Sequence, residues 1–126
     1  MDDATLIPAD RRQDRSENAL EALTRLVEAS RRRSGVRAVA VADRAGLLLA
    51  GAGAHRLCEE LAALAPLREA DNDTIPTCLD SFEGRMRLRR LTVDGIQIVV
   101  SFSGSGADTG ELDAVAAGCA RILRQG

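Results

Sequence analysis

The chain has no tryptophan or tyrosine, and its only aromatic residues are Phe82 and Phe102. Proteins that stack single-stranded bases need aromatic faces, so such a module is not expected. Lysine is also missing. All 17 basic residues are arginine, and 19 acidic residues leave a net charge of −2. That balance gives the chain no bulk attraction to a polyanion, so nucleic acid is not an expected partner. No apolar run approaches the roughly 20 residues of a membrane helix, so no membrane partner is expected. The opening MDDATLIPADRR holds no apolar h-region, so no secretory leader is expected. Cys58, Cys78 and Cys119 form no C-x-x-C pair, and the single histidine, His55, does not complete a usual zinc set. They read as small reduced core residues, with no metal site, in a cytoplasmic protein.

What is present fits one domain of 126 residues. A core of that size is small, and a partner surface helps it. Residues 1–13 are polar, contain Pro8 and show no period, so they read as a flexible N-terminal arm before a domain at 14–126. Asp14-Arg15-Ser16-Glu17 resembles a capping box. Leu20, Leu23, Leu26 and Val27 then recur at helical spacing, and Gly35 stops the helix after Arg31-Arg32-Arg33. The three arginines suit the negative end of the helix dipole, and an acidic partner is the alternative.

Val36–Ala42 is apolar on both alternating faces apart from Arg37, the pattern of a central strand covered on both sides. Asp43-Arg44-Ala45-Gly46 fits a tight turn, and Leu47–Ala50 returns as a second strand. A second helix is expected over His55–Ala65, ending near Pro66. Leu57, Leu61 and Leu64 form one stripe on it, beside a stripe of small residues, Cys58, Ala62 and Ala65. After a polar loop, strands are expected at Thr77–Phe82, Arg85–Val93 and Ile96–Phe102, with turns at Glu83-Gly84 and Asp94-Gly95. Ile96, Ile98, Val100 and Phe102 share one strand face. A third helix carries Leu112, Val115, Ala116, Cys119, Ile122 and Leu123 on one side. The order αββαβββα describes an α+β fold with a mostly antiparallel five-stranded sheet and helices on both faces.

Catalytic motifs are not found. Gly51-Ala52-Gly53 and Ser103-Gly104-Ser105-Gly106 precede helices, yet neither completes a phosphate-loop or dinucleotide fingerprint. No cofactor is therefore expected. His55 has no nucleophile beside it in sequence. The most unusual stretch is Arg85-Met86-Arg87-Leu88-Arg89-Arg90. Alternation places Arg85, Arg87 and Arg89 on one face, and Leu91 and Val93 fall out of phase with Met86 and Leu88. A bulge near Arg89-Arg90 would restore the phase. The arginine ladder either grips an acidic partner or forms a polar face paired with Asp80 or Glu83.

GVRAVAVADRAGLLLAGAG resembles the signature of the roadblock/dynein light chain family: a strand, a D-x-x-G turn at Asp43 and Gly46, an apolar strand, then small residues before a helix. VDGIQIVVSF resembles that family's last hairpin, and the element order agrees over roughly residues 14–124. The resemblance implies a homodimer in which the second helix and third strand meet their copies. Cys58, Ala62, Ala65, Thr77, Leu79 and Ser81 are then the expected dimer residues. It also implies a non-catalytic module, not an enzyme, that binds a small Ras-like GTPase or a motility or polarity scaffold. The expected partner-binding residues are Arg56, Glu59, Glu60, Arg85, Arg87 and Arg89. A rival reading is a small-ligand sensor of profilin/PAS-like architecture; the shortage of aromatics argues against it.

Overall fold

A computed structural model describes residues 3–67, 75–78, 83–104 and 109–125. Three helices, α1 (Asp3–Ser34), α2 (His55–Leu64) and α3 (Thr109–Gln125), enclose an antiparallel sheet. Four strands form its body: β1 (Ala38–Asp43), β2 (Leu48–Ala52), β4 (Glu83–Val93) and β5 (Ile96–Ser103). The four-residue β3 (Ile75–Cys78) pairs with β4 at one edge, giving the order β2-β1-β5-β4-β3.

β1 sits inside this sheet, bonded to β2 on one side and β5 on the other. Its alternation divides the core in two. Val39 and Val41 join Ile98, Val100 and Phe102 beneath α1 and α3, against Leu23, Val27, Leu112, Val115 and Cys119. Ala38 and Ala40 face the other way, with Met86, Leu88 and Val99, beneath Leu57, Cys58 and Leu61 of α2. The residues under α2 are small, so the helix comes close. A Cβ on Gly51 would lie 2.9 Å from the Cys58 sulfur. α1 and α3 are tied at one end by Glu111, whose Oε1 accepts from Ser30 Oγ at 2.9 Å and Arg33 Nη2 at 2.7 Å.

The opening hairpin closes as its residues require. Gly46 N–H donates to the Asp43 carbonyl at 3.1 Å, and Asp43 Oδ1 accepts from the Ala45 and Leu47 amides at 2.9 and 3.0 Å. Gly46 has φ +88°, a conformation that glycine adopts without steric cost. A register shift between Val41 and Ala42 lets Leu48 and Leu49 join opposite cores.

Several sequence expectations need correction. Residues 3–13 are helical and continuous with α1, so the segment expected as an unstructured arm is helical from Asp3. Ala9 to Gln13 are mostly good helix formers. Asp14 is therefore inside a helix and not at its start. Glu83 and Gly84 are not a turn: they pair with Cys78 and Thr77. β4 also has no bulge at Arg89-Arg90, since its register against β5 runs unbroken from Met86–Ser103 to Val93–Ile96. The apparent phase change arises because both faces are covered. Met86 and Leu88 lie under α2, while Leu91 and Val93 lie on the α1–α3 side. Ile96, which shares a strand face with Ile98, Val100 and Phe102, is 62% exposed: it is the first residue of β5, next to the Asp94-Gly95 turn, on an open side beside Leu20 and Leu123.

Two substitutions test this packing. Gly53 has φ +108°, and a Cβ there would lie 2.4 Å from the Arg37 carbonyl oxygen. Gly53→Ala is expected to cost about 3 kcal/mol or more, from backbone strain plus overpacking, read as a lower urea midpoint. Ser101 is 1% exposed, and its hydroxyl has no hydrogen-bond partner among the described residues. Ser101→Ala should therefore leave the midpoint unchanged or raise stability by up to about 1 kcal/mol.

Candidate interaction surfaces

α2 is short, and its sides differ sharply. Leu57, Cys58, Leu61 and Ala62 are buried, as is Ala65 in the 3-10 turn (Ala65–Leu67) that follows. The stripe Cys58, Ala62 and Ala65, expected to meet a second helix, is thus spent on the protomer's own sheet. Each is 1% exposed or less. Small residues let this helix approach β1 and β2 closely. The Cys58 thiol donates to the Ala52 carbonyl at 3.4 Å.

The outward side of α2 presents His55, Arg56, Glu59 and Ala63. Charges there are matched along the helix, with His55 Nε2 3.4 Å from Glu59 Oε1 and Arg56 Nε 3.7 Å from Glu60 Oε1. Such exposed pairs contribute little to stability. Of the residues expected to bind a partner, Arg56 and Glu59 are exposed and Glu60 is mostly covered. Just beyond, Leu67 is 77% exposed. Of the other dimer expectations, Thr77 belongs to the edge strand β3, while Leu79 and Ser81 lie outside the described residues.

The arginine ladder keeps its alternation. Arg87 and Arg89 stand opposite Phe102 and Val100, so the ladder is on the α1–α3 side of the sheet. α3 runs past it, and Arg89 Nη2 reaches Asp113 Oδ1 at 2.6 Å. Arg89 is therefore tied within the protomer. Arg85 is exposed and Arg87 half-buried. Asp80, a suggested partner, lies outside the described residues. Arg85 shares the end of the sheet with Arg37 and Arg31: Gly104 N–H donates to the Arg85 carbonyl, Arg37 N–H to the Ser103 carbonyl, and Arg31 Nε to the Arg37 carbonyl. The Arg31–Arg33 triplet is thus partly engaged at home, with Arg33 on Glu111.

Two features went unread in the sequence. One is the Ser30–Glu111–Arg33 cluster, visible only once α1 and α3 are known to pack together. The other is an apolar groove at the hairpin end of the sheet, where Leu20, counted with the core stripe, is 42% exposed.

Among the described residues, no group of three or more His, Cys, Asp or Glu could hold a metal. No described helix is long and apolar enough to cross a membrane. Burial pushes the Cys58 thiol up, against the opposing hydrogen bond to Ala52, and pushes Cys119 up to about 12. Neutral thiols are weak nucleophiles, so these positions serve packing.

No family model and no curated protein matches the chain. Solved structures do. MglB of Myxococcus xanthus superposes with a TM-score of 0.52 at 14% identity, over 84% of this chain and 87% of that one. MglB in a tetrameric arrangement gives 0.56 at 19%, over 85% and 91%. The gliding protein MglB of Thermus thermophilus gives 0.52 at 20%, over 86% and 93%. The fold is roadblock-like. At these identities the likeness is one of fold.

The Cys119 thiol yields a pH prediction. Its folded value lies near 12, above its ordinary value of 9.0, so the unfolded chain loses this proton first. Stability from this group is fully present below pH 9 and is lost as pH rises toward 12. Urea titrations over that range should show a falling midpoint, with a shallower fall in Cys119→Val.

Proposed function

We propose that this protein is a non-catalytic, dimeric interaction module that binds a small Ras-like GTPase, or a scaffold of motility or polarity machinery, and regulates it by contact. The observation that carries this reading is the roadblock-like fold shared with three MglB structures, one of them described as a gliding protein. The setting we propose is the cytoplasm, in keeping with free thiols at Cys58 and Cys119.

In this reading the dimer forms at the β3 edge. An edge strand carries backbone groups ready to pair with another chain, and natural proteins cover or pair such edges. Thr77 lies on this edge, and Leu79 and Ser81 follow it in sequence. Antiparallel pairing of two β3 strands would join the two sheets. The C-terminal end of α2, with Ala63 and the exposed Leu67, would meet the second copy beside that seam in place of the buried Cys58, Ala62 and Ala65, leaving Arg56 and Glu59 at its N-terminal end for the partner.

The partner would use Arg56 and Glu59 on α2, with Glu60 behind them, or the ladder at Arg85 and Arg87, with Arg89 held by Asp113. Regulation needs no catalytic group here. A module that binds one nucleotide state of a GTPase tenfold more tightly shifts that equilibrium by about 1.4 kcal/mol.

The test is a pull-down from source lysate, run separately with GDP and a non-hydrolysable GTP analogue and read by mass spectrometry. The expected result is a small GTPase enriched in one nucleotide state, captured at least about tenfold less by the Arg85→Glu, Arg87→Glu double variant. Capture unchanged by that variant would remove the ladder from the site. Absence of any GTPase or motility scaffold in both states would overturn the reading.

A further inference from the structure

At the hairpin end of the sheet, on the face opposite α2, an open groove of about 350 Å³ runs between α1 and the strand ends. Leu20 of α1, Leu49 of β2, Ile96 of β5 and Leu123 of α3 supply its apolar walls. Leu20 and Ile96 are 42% and 62% exposed, so large apolar surface faces water on two different elements. A groove of this kind marks an interaction site more often than scattered single residues do. The two charged residues that line it are both acidic, Asp43 and Asp94. Both are held by tight turns. Asp43 Oδ1 is fixed by the Ala45 and Leu47 amides, and Asp94 sits at φ +51° in the two-residue turn between β4 and β5.

We propose that this groove docks an amphipathic helix of a partner protein, one that carries leucine-like residues flanked by arginine or lysine. The apolar walls call for the first and the fixed carboxylates for the second. A helix suits the site because the groove lies on the face of the sheet, where the paired β4 and β5 present side chains rather than backbone groups for an added strand. The groove opens away from α2, so occupation of α2 by a second copy leaves it accessible. The proposal is independent of the GTPase reading.

The test is fluorescence anisotropy of the full chain with a labelled 14-residue helical peptide of leucines at i, i+3, i+4 and i+7 spacing and arginines between them. Two control peptides carry glutamate in place of arginine, or alanine in place of leucine. The leucine–arginine peptide is expected to bind, and both controls at least tenfold more weakly. Ile96→Asp should weaken binding at least tenfold. That substitution adds a charge attractive to the peptide, so the loss reports apolar contact. Leu20→Asp, on a different element, should do the same, and circular dichroism should show both variants folded. Asp94→Asn, which tolerates the same backbone, should weaken binding a few fold and flatten its salt dependence. No binding, equal binding of either control, or binding undiminished by both aspartate variants would overturn the proposal. So would self-association of the chain that Ile96→Asp abolishes, since a second copy would then fill the groove.

Discussion

β1 has no face to give to water. Five of its six residues are fully covered, and every other element is arranged by that constraint. Bonded on both edges and buried on both faces, it needs helices above and below the sheet. Its side chains decide how those helices sit. Valines on one face meet the broad layer of α1 and α3, whereas alanines on the other admit a single short helix at close range. The Gly51-Ala52 end of β2 follows from the same demand, because a larger residue at Gly51 would collide with Cys58.

A core closed in this way leaves its functional surfaces at the margins. The central strands are committed, so pairing with another chain is available only at the outer strands. α2 spends its small residues inward and turns charged residues outward. The tip of the long β4–β5 hairpin exposes Ile96 beside Leu20. These three margins differ in chemistry: an edge that pairs backbones, a matched-charge helix face, and an acid-lined apolar groove. None contains an activated nucleophile among the described residues, since burial keeps the Cys58 and Cys119 thiols neutral.

Much of the fold was legible in the sequence because its signals are local. The Asp43–Gly46 turn, the Asp94-Gly95 hairpin and the two-faced apolar pattern of β1 each depend on neighbours in sequence. The readings that failed depended on which side of an element faces inward. Cys58, Ala62 and Ala65 form a small-residue stripe whether they meet a sheet or a second helix, and periodicity does not separate the two. The phase change after Leu88 suggested a bulge only while one face of β4 was taken as buried. Ile96 continues the apolar alternation of β5, yet lies at the strand's first position, where the gap between α1 and α3 is open. Residues 3–13 lack an apolar period but contain helix formers, and absence of a period excludes burial rather than helix. For the candidate partner-binding residues only exposure was legible, at Arg56, Glu59 and Arg85, whereas the Arg89–Asp113 pair required the path of α3.

The account holds that the protein works as a dimer assembled through its margins. Sedimentation equilibrium of the full chain over a broad concentration range tests this most directly. The predicted result is twice the chain mass at micromolar concentration, falling toward the single-chain mass only on dilution. The single-chain mass at every concentration would contradict the account.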